Sequence, residues 1–176
     1  MPNPCAAIIG VEGLSLGRDE AAFLRAADPL GLILFGRNVE SPDQIRRLTG
    51  DLRTALGRDA PILIDQEGGR VQRLRAPHWR EWLPPLDQMA RARPDVALRS
   101  IWIRYRMIAA ELHAVGIDVN CVPSCDIASD ATHPFLMNRC FGRDADTVAG
   151  AARAAARGLL AGGVLPVMKH IPGHGR

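Results

Sequence analysis

Five short, mostly apolar runs punctuate the chain: 6–11 (AAIIGV), 31–35 (GLILF), 61–65 (PILID), 117–122 (IDVNCV) and 164–168 (VLPVM). Each is strand-sized and bounded by glycine, proline or polar residues, and none shows the strict alternation of a strand with one wet face. Between them the apolar positions recur at helical spacing. Residues 18–27 carry Ala22, Phe23 and Ala26 on one side and stop at Asp28-Pro29, because a residue before proline avoids the helical region. Residues 42–56 carry the stripe Ile45, Leu48, Leu52 and Leu56, with Ser41 placed to cap the start, Pro42 in the first turn and Gly57 past the end. Two further helices are predicted over 95–115, ended by Gly116, and over 144–161, ended by Gly162.

Strands that are apolar throughout, alternating with helices, predict a parallel sheet covered by helices: an α/β fold. Two architectures satisfy that pattern, an open doubly wound sheet and an eight-stranded barrel. No GxGxxG follows the first strand, which counts against a dinucleotide fold. Long loops after the third and fourth strands, over 66–94 and 123–142, favour a barrel with its site at the carboxyl ends of the strands. About 250 residues is typical of such barrels, and this chain has 176. It therefore reads as one incomplete domain over residues 1–176, supplying about the first five βα units of a TIM-type (β/α)8 barrel.

Composition removes several function classes. A net charge of +3 with arginines dispersed among acids gives no basic stripe, so no nucleic-acid partner is expected. No apolar window approaches the roughly 20 residues that span a bilayer, and no basic segment precedes the first apolar run, so neither a membrane span nor a secretory signal is expected. A cytoplasmic location is the resulting expectation. Cys5, Cys121, Cys125 and Cys140 lack paired CxxC spacing and read as buried thiols rather than a zinc site.

The chemistry concentrates at strand ends. Lys169 is the one lysine among 22 lysines and arginines, and with His170 it ends the fifth strand just before a Pro-Gly-His-Gly turn. Asp65 ends the third strand. Asp65 and Glu67, two apart in extended chain, project to one side about 6.5–7 Å apart, and paired carboxyls are glycosidase equipment. Glu67 equally well pairs with Arg70 or Arg73 to shape the loop. Gly68-Gly69 permits a tight turn that returns Arg73 toward the mouth. Arg139 either aims into the same mouth or forms a surface ion pair with Asp144. His170 and His174 have the spacing of two metal ligands on a helix, but Pro172 and Gly173 oppose a helix there and no third ligand offers itself, so no metal is expected.

IDQEGGRVQRL (64–74), KHIPGHG (169–175) and LILFGRN (32–38) together resemble the bacterial β-N-acetylhexosaminidases of glycoside hydrolase family 3. The resemblance runs along the whole chain. It implies a hydrolase, a cytoplasmic glycosidase of peptidoglycan recycling and carbohydrate metabolism. Such an enzyme removes β-N-acetylglucosamine, with retention and without cofactor, from the non-reducing end of muropeptides carrying anhydro-N-acetylmuramic acid. Matched by position, Asp65, Arg73, Arg139, Lys169 and His170 fall on the family's sugar-binding residues. Two places depart from the family: Asn138 stands where an acid is usual before Arg139, and Pro123-Ser124-Cys125-Asp126 is less apolar than expected. The resemblance also puts the catalytic groups, an Asp-x-His dyad and a nucleophilic aspartate, beyond Arg176, so none is expected within this chain. The chain made alone is therefore expected to be inactive and to fold poorly, aggregate or self-associate through open sheet edges; the alternative to the enzyme is a truncated, non-catalytic remnant that binds an amino sugar.

Overall fold

The computed structural model describes residues 3–174. Five strands form one parallel sheet: β1 (Cys5–Gly10), β2 (Pro29–Leu34), β3 (Ile62–Ile64), β6 (Val119–Asn120) and β7 (Leu165–Pro166). Their spatial order follows the chain, each new strand joining the same edge. A doubly wound sheet reverses direction at its switch point, whereas a barrel adds strands one way round. The order therefore selects the barrel architecture, here as a parallel sheet that is not closed: among the described residues nothing pairs with the outer edge of β1 or of β7. A small antiparallel hairpin, β4 (Gln66–Gly68) with β5 (Val71–Gln72), follows β3 and had no counterpart in the hydrophobic pattern.

The four long helices lie at the expected places in the chain. They are α1 (Arg18–Ala27), α2 (Pro42–Leu56), α4 (Ala97–His113) and α6 (Ala145–Ala161), with two short ones, α3 (Pro85–Arg91) and α5 (Pro134–Met137), inside the long loops. In α1 the buried side is Ala21 and Leu24 rather than Ala22, Phe23 and Ala26, which face outward because Leu24 sets the stripe that meets the core. At the start of α2, Ser41 Oγ accepts from the Gln44 backbone N–H at 3.3 Å, and Gly57 closes the other end at φ 65°. Asp144 caps α6 by accepting from Thr147 N–H at 2.8 Å. Ile45, Leu48 and Leu52 from α2, Ile101, Tyr105 and Ile108 from α4, and Val148, Ala151 and Ala155 from α6 meet Leu32, Leu34, Ile62 and Ile64 in one core. No helix among the described residues is long and apolar enough to cross a membrane.

Asn38, fully buried, ties the ends of β1 and β2 together. Its Nδ2 donates to the Val11 and Gly13 carbonyls at 3.1 and 2.8 Å, and its Oδ1 accepts from Phe35 N–H at 2.9 Å. That explains the polar ending of LILFGRN. Burial on both faces holds for β2 beyond the exposed Leu30 and for β3, but not for β1 or β7, where Ile8, Leu165 and Cys5 (expected as a buried thiol) are exposed. An edge strand lacks the neighbour that would cover it.

Candidate functional site

The site is assembled at the carboxyl ends of the strands by backbone devices that can be traced singly. Asp65 lies immediately past β3. The hairpin beyond it is docked by Asn120 on β6: Gln66 N–H donates to Asn120 Oδ1 at 3.0 Å, and Asn120 Nδ2 donates to the Gln66 carbonyl at 3.1 Å. The turn passes through Gly68 at φ 111° and Gly69 at φ 58°. A Cβ on Gly68 would press on the Arg104 guanidinium and lie 2.8 Å from the Leu83 carbonyl, which with the positive φ reserves the position for glycine. Gln66 Oε1 then accepts from the N–H groups of Arg73 and Leu74, which sets where Arg73 leaves the hairpin. On the other side, Lys169 N–H donates to the Pro123 carbonyl at 3.0 Å and Cys125 N–H to the Lys169 carbonyl at 2.6 Å. These two bonds extend the β6–β7 pairing far enough to bring Lys169 over β3.

All five residues singled out in the sequence converge. Lys169 Nζ lies 2.8 Å from Asp65 Oδ1 and 2.5 Å from Glu67 Oε1. Arg73 Nη2 reaches Asp65 Oδ2 at 3.2 Å. Arg139 grips Glu67 with both arms of its fork, Nε to Oε2 at 2.9 Å and Nη2 to Oε1 at 2.8 Å, the strongest geometry available to that pair. His170 Nε2 sits 3.2 Å from Arg139 Nη2 and its Nδ1 sits 2.5 Å from Asp126 Oδ2. Neither alternative pairing occurs: Glu67 is bound by Arg139 and Lys169 rather than Arg70 or Arg73, and Arg139 is buried rather than paired with Asp144.

Three residues of the cluster had weak signals in the sequence. Glu67, 1% exposed, is its centre. Only its position two residues after Asp65 marked it. Asp126 accepts from His170, from Ser124 Oγ at 3.0 Å and from the His174 backbone N–H at 2.9 Å. Its one signal was an acid closely following an apolar run. Arg104, on α4, donates to the Glu67 carbonyl, which also accepts from Tyr105 Oη at 3.1 Å, and to Gln88 Oε1 at 2.6 Å. Nothing in a helical pattern marks an arginine that turns inward. Burial pushes the Tyr105 hydroxyl up to about 12, so it stays a neutral donor.

Three carboxylates (Asp65, Glu67, Asp126) face three fixed cations (Arg73, Lys169, Arg139), and Arg104, bound to the Glu67 carbonyl, adds a fourth buried cation beside them. Burial by itself raises the Asp65 carboxyl, but Lys169 first and Arg73 second outweigh it and hold it below the usual carboxylate value. Asp126 behaves alike: burial raises it, and hydrogen bonds from His170, His174 and Ser124 bring it below. Hydrogen bonding to Glu67 raises the Arg139 guanidinium. Nearby Cys121 is pushed up to about 11 by burial, which keeps its thiol protonated and a poor nucleophile. Each carboxylate already serves a cation or another donor, so none stands free to shuttle a proton. Among the described residues the unspent capacity is a second lone pair on each Asp65 oxygen and, on the donor side, one ammonium N–H of Lys169 and the Nη1 groups of Arg73 and Arg139. Such donors suit hydroxyl and carbonyl oxygens of a ligand.

The Glycosyl hydrolase family 3 N terminal domain matches residues 10–176. The chain belongs to that family. It is 40% identical over 163 residues to a protein named Beta-hexosaminidase from Methylococcus capsulatus, covering 93% of this chain and 48% of that one. A Beta-hexosaminidase from Xylella fastidiosa is 37% identical, covering 96% and 50%. The crystal structure of native NagZ from Neisseria gonorrhoeae superposes with a TM-score of 0.87 at 30% identity, over 98% of this chain and 50% of that one. The same protein in complex with N-trifluoroacetyl-D-glucosamine gives 0.88 at 30% identity, over 98% and 51%. The chain spans about half the length of the relatives it matches.

Proposed function

We propose that the chain is the sugar-gripping portion of a retaining β-N-acetylhexosaminidase. It acts in the cytoplasm on peptidoglycan-derived muropeptides, releasing terminal β-N-acetylglucosamine during cell-wall recycling. The observation that carries this reading is Lys169 bridging Asp65 and Glu67, flanked by Arg73 and Arg139, at the carboxyl ends of parallel strands. Family membership and the names of the relatives support it. So does the glucosamine-derivative complex of the gonococcal NagZ. Asp65 accepts from sugar hydroxyls, while the free N–H groups of Lys169, Arg73 and Arg139 donate to hydroxyl and acetamido oxygens. Every carboxylate of the cluster is already ion-paired or hydrogen-bonded, so the cluster binds, and proton transfer and nucleophilic attack are assigned to groups outside it.

Two measurements test the proposal. Calorimetric titration of N-acetylglucosamine should give binding heat with the wild-type chain and none with Asp65→Ala; equal heats remove Asp65 from the site. Release of p-nitrophenol from the N-acetylglucosaminide should require a version extended to the length of its relatives. Turnover by the 176-residue chain alone would overturn the division between gripping and chemistry.

A second reading concerns partners. The chain made by itself self-associates through its two sheet edges, supported by the exposure of Ile8 on β1, Leu165 on β7 and Met168 just beyond it. A concentration-independent monomer in sedimentation would refute this.

A further inference from the structure

Asp126 lies outside the motifs that carried the family resemblance, yet three donors converge on its carboxylate, two of them from the segment after β7. Oδ2 faces His170 Nδ1 at 2.5 Å and accepts from Ser124 Oγ at 3.0 Å, and Oδ1 accepts from the His174 backbone N–H at 2.9 Å. The other ring nitrogen of His170, Nε2, lies 3.2 Å from Arg139 Nη2. A guanidinium nitrogen has protons to offer and no lone pair. Nε2 must therefore present its own lone pair, and the ring proton sits on Nδ1, donated to Asp126. The same Arg139 Nη2 donates to Glu67 Oε1 at 2.8 Å. The imidazole lone pair and the Glu67 carboxylate thus fix the guanidinium plane from two directions.

We infer that Asp126 is a positioning residue for the amino-sugar site: it locks His170 in the Nδ1–H tautomer, so that Nε2 holds Arg139 against Glu67 and leaves Nη1 for the ligand. The inference rests on the amino-sugar reading above. It also changes the role of His170. With both ring nitrogens engaged, His170 acts on the sugar through Arg139 rather than by donating to it. The second oxygen of Asp126 pins the loop carrying His174, so one carboxylate sets the position of both the guanidinium and that loop.

Asp126→Asn tests this with little change of shape. If the amide oxygen keeps the His174 N–H, the amide N–H₂ faces Nδ1 and drives the ring proton to Nε2, where it opposes a proton of Arg139. NMR of isotope-labelled imidazole nitrogens reads the tautomer directly, and His170→Gln assigns the His170 signals by removing them. The wild type should show a protonated Nδ1 and a lone pair on Nε2. Asp126→Asn should reverse or average that pattern and weaken N-acetylglucosamine binding about tenfold, the order of one lost hydrogen bond to a charged group. A wild-type His170 protonated on Nε2 overturns the proposal, as does an Asn variant with unchanged tautomer and affinity. Should the Asn variant not fold, the wild-type tautomer decides by itself. Absence of N-acetylglucosamine binding to the wild type, with the tautomer as stated, overturns the sugar reading alone and leaves the lock on Arg139 supported.

Discussion

The middle of the sheet and its β7 edge have the same sequence texture and opposite fates. Leu34 and Ile64, at the ends of β2 and β3, are 0% exposed, whereas Leu165 and Met168 are each 58% exposed and Ile171 is 80% exposed. Both regions are short apolar runs that finish in polar groups. The centre is held by apolar burial, at about 25 cal/mol per Å² removed from water. At the β7 edge it is polar bonding that holds the chain: Lys169 to Asp65 and Glu67, and His170 to Asp126. The segment that reaches the site is fastened by its charges, so charge removal should loosen it far more than apolar truncation.

The largest expected effect breaks the comparison from the polar side. Glu67→Gln leaves Arg139 and Lys169 buried with a weaker acceptor, and removing one partner of a buried pair costs about 3–5 kcal/mol. Urea unfolding should show that loss, with N-acetylglucosamine binding abolished; a loss under about 1 kcal/mol would mean the pair is hydrated and loosely held. Leu34→Ala, which opens a cavity in the centre, should cost about 2–5 kcal/mol. Leu165→Ala, on the exposed edge, should cost less than about 1 kcal/mol in the same assay. Equal costs would show that the edge is buried in solution, by another copy or otherwise.

The acid limb sharpens the comparison at a finer scale. Asp65 and Asp126 have folded-state pKa values below the ordinary 3.8. Their contribution to stability is therefore complete above pH 3.8 and is lost as pH falls through the lower folded-state values. Unfolding free energy measured against pH should drop in that window, and Asp65→Asn should flatten the drop. An unchanged slope would remove Asp65 from the ion-paired cluster. The smallest effect is local: Ser41→Ala should cost about 1 kcal/mol through loss of the α2 cap, read as a small shift in the urea midpoint.

Much of this was legible in the chain. The bounds of α1 and α2 follow from Asp28-Pro29, Ser41-Pro42 and Gly57, because caps and breakers act over a few residues. Five helix-separated apolar runs implied a parallel sheet, and the one-way strand order then chose the barrel over the doubly wound alternative. The β4–β5 hairpin was not legible. Its residues, QEGGRVQ, carry no strand-like alternation, and it is held by Asn120, more than fifty positions away. Arg104 looked like any helical arginine, and its inward turn depends on the Glu67 carbonyl being there to receive it.

By itself the sequence determined the main helices and the five strands of a parallel sheet, and its motifs carried the resemblance that drew Asp65, Arg73, Arg139, Lys169 and His170 together. Such information is local: periodicity, capping chemistry and motif spacing all act within one element or its turns. The tertiary structure alone decided that Glu67 rather than Asp65 is the centre, that Arg139 faces it across 72 positions of chain, and that Asp126 governs His170. A charge chooses its partner by distance and desolvation, and both are set only when register and loop docking bring remote segments within about 3 Å of one another.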